Sequence, residues 1–147
     1  MNSSYVVDAS VAAKWFLPQA GETLVAESLR IFEGYASGRI GLAVPDLFWP
    51  ELGNVFWKAV RLGRMTKQSG EEALAAMIRQ TIPTTPSVPL LADAFAIATT
   101  FQCTVCDATY VALAVTARTP LLTADERLAG RLAGEMPVRW LGSIAAE

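Results

Sequence analysis

The chain contains no histidine. That absence removes Ser-His-Asp and Cys-His nucleophilic catalysis, histidine general bases and histidine-bound zinc or iron. Cysteine is nearly as scarce: Cys103 and Cys106 are the only two. A zinc site built on them would lack its other two ligands. Long apolar runs are missing too. A membrane helix needs about 18 uninterrupted apolar residues, and the richest stretch, Ala94 to Ala117, is broken by Gln102, Asp107 and several threonines. The first eight residues lack the basic and long apolar regions of a secretory signal. The expectation is a cytoplasmic protein that makes no use of a membrane. A basic excess is also lacking, since the net charge is −2. No global field draws in nucleic acid, and any phosphate contact would need a local basic patch.

What is present is a chain of 147 residues that is 52% hydrophobic. This suits one domain, residues 1–147, with a generous core. Tyr5-Val6-Val7 reads as a buried strand ending at Asp8. Ala9 to Leu17 reads as a helix stopped by Pro18, and Gly21 to Ala36 as a second with Leu24, Val25, Leu29 and Phe32 on one face. Gly41 to Val44 is a short strand closed by Pro45. In the helix spanning Pro45 to Arg64, Leu52, Val55, Phe56 and Ala59 form an apolar stripe, beside a polar one of Glu51, Asn54, Lys58 and Arg61. Pro50 places the regular start of that helix nearby.

Thr66 to Gln80 is a helix capped by Thr66, and the prolines between Ile82 and Pro89 leave room for a short edge strand only. A helix over Leu90 to Phe101 and an extended stretch at Cys103 to Cys106 precede an alanine-rich helix, Asp107 to Ala117. Pro120 to Thr123 is a strand, Asp125 to Ala133 a helix and Val138 to Leu141 the last strand. Short apolar strands alternating with amphipathic helices predict an α/β fold: a short, mostly parallel sheet flanked by helices on both faces.

The chemistry concentrates in carboxylates. Asp8, Asp107 and Asp125 each stand where a helix begins, and capping the helix is an ordinary use of aspartate there. Glu51 has no such structural excuse beyond a solvated helix face. Three acids at strand-to-helix junctions of one parallel sheet would meet beyond the strand ends. Carboxylates that close repel each other unless a cation offsets them. Oxygen ligands favour hard ions such as Mg²⁺ or Mn²⁺, and such an ion equips a site for phosphodiester hydrolysis.

The motifs Val-Val-Asp8-Ala-Ser10-Val-Ala, Pro-Glu51-Leu-Gly-Asn54-Val, Asp107-Ala-Thr-Tyr-Val-Ala-Leu-Ala and Leu-Leu-Thr123-Ala-Asp125-Glu-Arg-Leu follow in order along nearly the whole chain. Together they resemble the PIN-domain family, and within it the VapC ribonuclease toxins of toxin–antitoxin pairs. The resemblance implies that Asp8, Glu51, Asp107 and Asp125 are catalytic and metal-binding, with Mg²⁺ or Mn²⁺ as cofactor. It implies that Ser10, Asn54 and Thr123 support the acids, although Ser10 and Thr123 could equally satisfy turn backbone groups. It further implies an RNA substrate, a small VapB-like antitoxin partner and a homodimer. Pro50 before Glu51 departs from the usual pattern, and a bulky residue commonly stands where this chain has Cys106.

Lys14, Lys58, Arg61 and Arg64 are the candidates for phosphate contact, against the alternative of solvated helix faces. Two readings compete with the nuclease. One is a non-catalytic binding or assembly module of the same fold. The other is a redox site at Cys103-Thr-Val-Cys106, whose plainer explanation is a pair of buried thiols. A surplus of large side chains (Trp15, Phe16, Phe48, Trp49, Phe56, Trp57, Trp140) is expected to place some of them in interfaces.

Overall fold

The computed structural model describes residues 3–144. Five strands form one sheet: β1 (Ser3–Val7), β2 (Ile40–Pro45), β3 (Thr84–Thr85), β4 (Leu121–Thr123) and β5 (Val138–Trp140). Their order is β3-β2-β1-β4-β5 and every pairing is parallel. Tyr5, Val6 and Val7 are buried in succession, so both faces of β1 are covered. Water reaches neither side there, which is why the strand's last three residues are continuously apolar instead of alternating. Pro83 and Pro86 confine β3 to two residues at the sheet edge, where a missing N–H costs no central ladder bond.

The chain starts in the middle of this sheet, at β1. It builds outward through β2 and β3, then returns to lay β4 and β5 on the other side. The point where the winding reverses lies between β1 and β4. In open parallel sheets a crevice forms there, beyond the carboxyl ends of the strands. The register pairs Val7 with Leu122, so Asp8 and Thr123 emerge side by side at that crevice.

Among the described residues seven α-helices surround the sheet: α1 (Ala9–Ala12), α2 (Val25–Ala36), α3 (Phe48–Arg61), α4 (Lys67–Ile78), α5 (Leu91–Phe101), α6 (Val105–Ala117) and α7 (Glu126–Leu132). α6 is the core helix, with all residues from Ala108 to Ala114 buried. A helix that is apolar all round must be enclosed, and its alanines let it sit close to α5, β1, β2 and β4. α5 and α6 meet at a bend of 115°, and no single helix among the described residues is long and apolar enough to cross a membrane.

Local signals placed most boundaries well. Thr66 caps α4 by accepting the Ser69 N–H at 3.0 Å. Pro50 is the third residue of α3, where its missing N–H would have had no intrahelical partner. Three expectations need correction. α2 starts at Val25 and not at Gly21, because Gly21 and Leu24 both have positive φ, a conformation no helix contains. Residues 103–106 are not an extended stretch: Thr104 is the N-cap of α6, which already begins at Val105. Asp107 consequently lies within the first turn of α6, after a helix–helix bend and not after a strand.

Candidate active site

Asp8 follows β1 and caps α1, so the capping role and the site role fall on the same side chain. Its Oδ1 accepts the Ser10 backbone N–H at 3.4 Å, and its Oδ2 accepts the Thr123 hydroxyl at 2.9 Å. Thr123, fully buried, accepts the Asp125 backbone N–H at 3.1 Å on the same oxygen. The Ser10 hydroxyl in turn accepts the Ala124 N–H at 3.2 Å. Asp125 caps α7 by accepting the Leu128 N–H at 3.1 Å. The loops after β1 and β4 are thus laced together by side chains, and the two aspartates are held at one edge of the sheet.

Glu51 comes from the first turn of α3 and Asp107 from the first turn of α6. Both are half-buried. The Thr104 hydroxyl receives the Asp107 N–H at 3.0 Å, which starts the helix and sets the direction of the carboxylate one turn later. Glu51 is no solvated face: the buried Tyr110 hydroxyl donates to its Oε1 at 2.6 Å. Tyr110 was absent from the sequence-based candidates, although its position three residues after Asp107 puts it on the same helical face.

The four carboxylates form one electrostatic group. Burial pushes the Asp8 carboxyl above its ordinary pKa, against the opposing hydrogen bonds from Thr123 and Ser10, and the charge of Asp107 adds to the rise. Burial likewise raises Glu51, with Tyr110 opposing and Asp8 and Asp107 reinforcing. Asp107 is raised by burial, lowered by Thr104 and raised again by Asp125. Tyr110 is held far from ionisation by burial and by the charges of Asp8 and Glu51. None of the ion pairs among the described residues involves these four acids. This much negative charge outside any ion pair suits a divalent cation, and the donors are hard oxygens as Mg²⁺ or Mn²⁺ prefer. As they stand, no three ligating side chains among the described residues come together closely enough to share one ion.

The remaining candidates divide. Ser10 and Thr123 bond within the site, whereas Asn54 is exposed and no described hydrogen bond joins it to an acid. Lys14 is buried and paired with Glu22 at 3.0 Å, and Arg64 reaches the other Glu22 oxygen at 3.0 Å. Glu22, which sequence reasoning did not single out, therefore occupies both cations. Lys58 and Arg61 are exposed near the end of α3, with the Arg61 guanidinium 5.2 Å from the Trp57 ring. The thiols are free, but not both buried as expected: Cys103 is half-buried and Cys106 exposed, because the α6 cap turns Cys106 outward. Of the large aromatics, Trp15, Phe48 and Phe56 belong to the core and Trp57 is 60% exposed.

Comparison with known proteins bears on the fold and the family. No curated protein sequence matches the chain. Among solved structures, PAE2754 from Pyrobaculum aerophilum superposes with a TM-score of 0.69 at 24% identity, over 99% of this chain and 91% of that one. A toxin–antitoxin complex from Klebsiella pneumoniae gives 0.59 at 19% identity, covering 92% and 95%. The sarcin–ricin loop cleaving toxin VapC20 of Mycobacterium tuberculosis gives 0.62 at 17%, covering 87% and 95%. At these identities the likeness is one of fold. The PIN domain pattern itself matches residues 5–133, a span that contains all four acids. The chain belongs to the PIN domain family.

Proposed function

We propose that this protein is a metal-dependent endoribonuclease and the toxin of a VapBC-type toxin–antitoxin pair, acting in the cytoplasm. The observation that carries the reading is the electrostatic coupling of Asp8, Glu51, Asp107 and Asp125, none of which takes part in an ion pair among the described residues. Asp8, Asp107 and Asp125 with Glu51 would hold Mg²⁺ or Mn²⁺, one or two ions. Such a cation offsets the phosphate charge and lowers the pKa of water.

The chain's own residues supply the rest. Thr123 and Ser10 fix the Asp8 carboxylate and the loop carrying Asp125. Tyr110 fixes Glu51 by a hydrogen bond to one oxygen, leaving the other free to face water. With the cation lowering the pKa of water, that water adds to phosphorus as the P–O3′ bond breaks, and the carboxylates set its position. The solved toxins of like fold support an antitoxin partner and an RNA substrate. Exposed Trp57, Leu62, Ile78, Val88 and Leu91 leave apolar surface for that partner and for a homodimer.

The test is cleavage of total RNA in Mg²⁺ buffer, with 5′ ends mapped for the native chain and for Asp8→Asn. Cleavage by the native chain and none by the folded variant is expected; full activity in Asp8→Asn overturns the site. A binding module of the same fold, the alternative, would show neither cleavage nor a rise in Tm with Mn²⁺.

A further inference from the structure

A cavity of about 640 Å³ opens beside Asp107 and Asp125, between α5, the α5–α6 bend and α7. Its walls carry three chemistries. α5 contributes Phe95, a residue 62% exposed. α7 contributes Arg127 and Arg131, four residues apart and therefore on one helical face, both exposed. The bend contributes the polar side chains of Gln102 and Thr104. Arg131 is aimed across the cavity by donating to the Gln102 carbonyl at 2.9 Å, while Arg127 has no partner among the described residues.

Core packing explains none of this. An exposed aromatic face opposite two guanidiniums matches a nucleotide: a flat base to stack, an anionic phosphate to pair and polar edges to hydrogen-bond. The volume falls within the range of pockets that enclose a molecule of that size. The cations expected from the sequence are poorer candidates, since Lys14 and Arg64 are both engaged by Glu22.

We propose that this cavity seats the nucleotide next to the scissile phosphate, its base stacked on Phe95 and its phosphate against Arg127 and Arg131. The inference rests on the ribonuclease reading and deepens it. It makes the α5–α7 side of the acids the path of the RNA strand and Phe95 a determinant of which step is cut.

The experiment uses a short single-stranded RNA copied from a mapped cleavage site, with the native chain and the variants Phe95→Ala, Phe95→Trp, Arg127→Gln and Arg131→Gln. Phe95→Ala should raise KM roughly ten-fold or more and leave kcat nearly intact, as removal of one base–aromatic stack does, and Phe95→Trp should restore it. Each arginine variant that removes a phosphate contact should flatten the log–log salt dependence of KM by about 0.7. All three positions are exposed, and unchanged Tm values would show that folding is intact. A native chain that cuts no RNA overturns the nuclease reading and this inference with it. A native chain that cuts, with all four variants unchanged in KM and salt slope, overturns the inference alone. A Phe95→Ala variant that alters oligomeric state but not KM reassigns the face to a protein interface and overturns it too.

Discussion

Thr123→Val tests how the site is held. The substitution keeps shape and burial and removes one oxygen. That oxygen donates to Asp8 at 2.9 Å and accepts the Asp125 N–H at 3.1 Å, and the side chain is fully buried. A hydrogen bond to a charged group contributes about 1.5–3 kcal/mol, and a backbone N–H left without its acceptor costs about 1–3 kcal/mol. Asp125 lies at the exposed rim, where water can replace part of the loss, so the low ends apply and the sum is about 2.5 kcal/mol. Against a total stability of about 5–15 kcal/mol this is a large share, and at about 2–4 °C per kcal/mol it lowers Tm by roughly 5–10 °C. Thr123→Ser restores both bonds and loses one methyl, about 0.8 kcal/mol.

The effect should depend on pH with a definite sign. Burial raises the Asp8 carboxyl in the folded chain, so Asp8 favours folding below its ordinary value of 3.8, and that contribution is lost as pH rises through the folded value. The Thr123 hydroxyl opposes the rise, and its bond is strongest when Asp8 is ionised. The gap between Thr123→Val and the native chain should therefore be widest at neutral pH and narrow on acidification. Urea unfolding of the three proteins across this range measures it. A valine variant within about 0.5 kcal/mol of the native chain at neutral pH, or a serine variant as damaged as valine, would refute the reasoning.

Two further outcomes follow from other contacts. Tyr110→Phe removes the 2.6 Å bond to Glu51; it should raise the Glu51 pKa further, visible by carbon-13 NMR titration, and cost about 1–2 kcal/mol in urea melts. Glu22→Gln should cost about 2 kcal/mol by leaving the buried Lys14 without its carboxylate, again read from urea melts. Burial pushes the Glu22 carboxyl up, but Lys14 and Arg64 prevail and hold it below its ordinary 4.5, so its stabilisation is present above that value and lost as pH falls through the folded one. The Glu22→Gln gap should accordingly close in acid, and a gap that persists there would assign the loss to something other than the ion pair.

What the sequence by itself determined is local. Asp8 and Asp125 cap helices, Thr66 starts another, two prolines shrink β3, and the lack of histidine leaves the chemistry to carboxylates. Each is settled by atoms a few residues apart, so composition and spacing expose it. Tertiary structure decided which of these acids meet and what holds them. Thr123 reaches Asp8 across 115 residues and Tyr110 reaches Glu51 across 59, contacts that exist only because β4 lies against β1 and α6 fills the core. The same holds for Lys14 and Arg64, which read as free surface cations until the fold closes both onto Glu22. Even Asp107, legible as an acid at a helix start, owed its place to Thr104 and the bend after α5. A side chain's type is local, whereas its partner is fixed by strand order, and strand order emerges only when the whole core is buried at once.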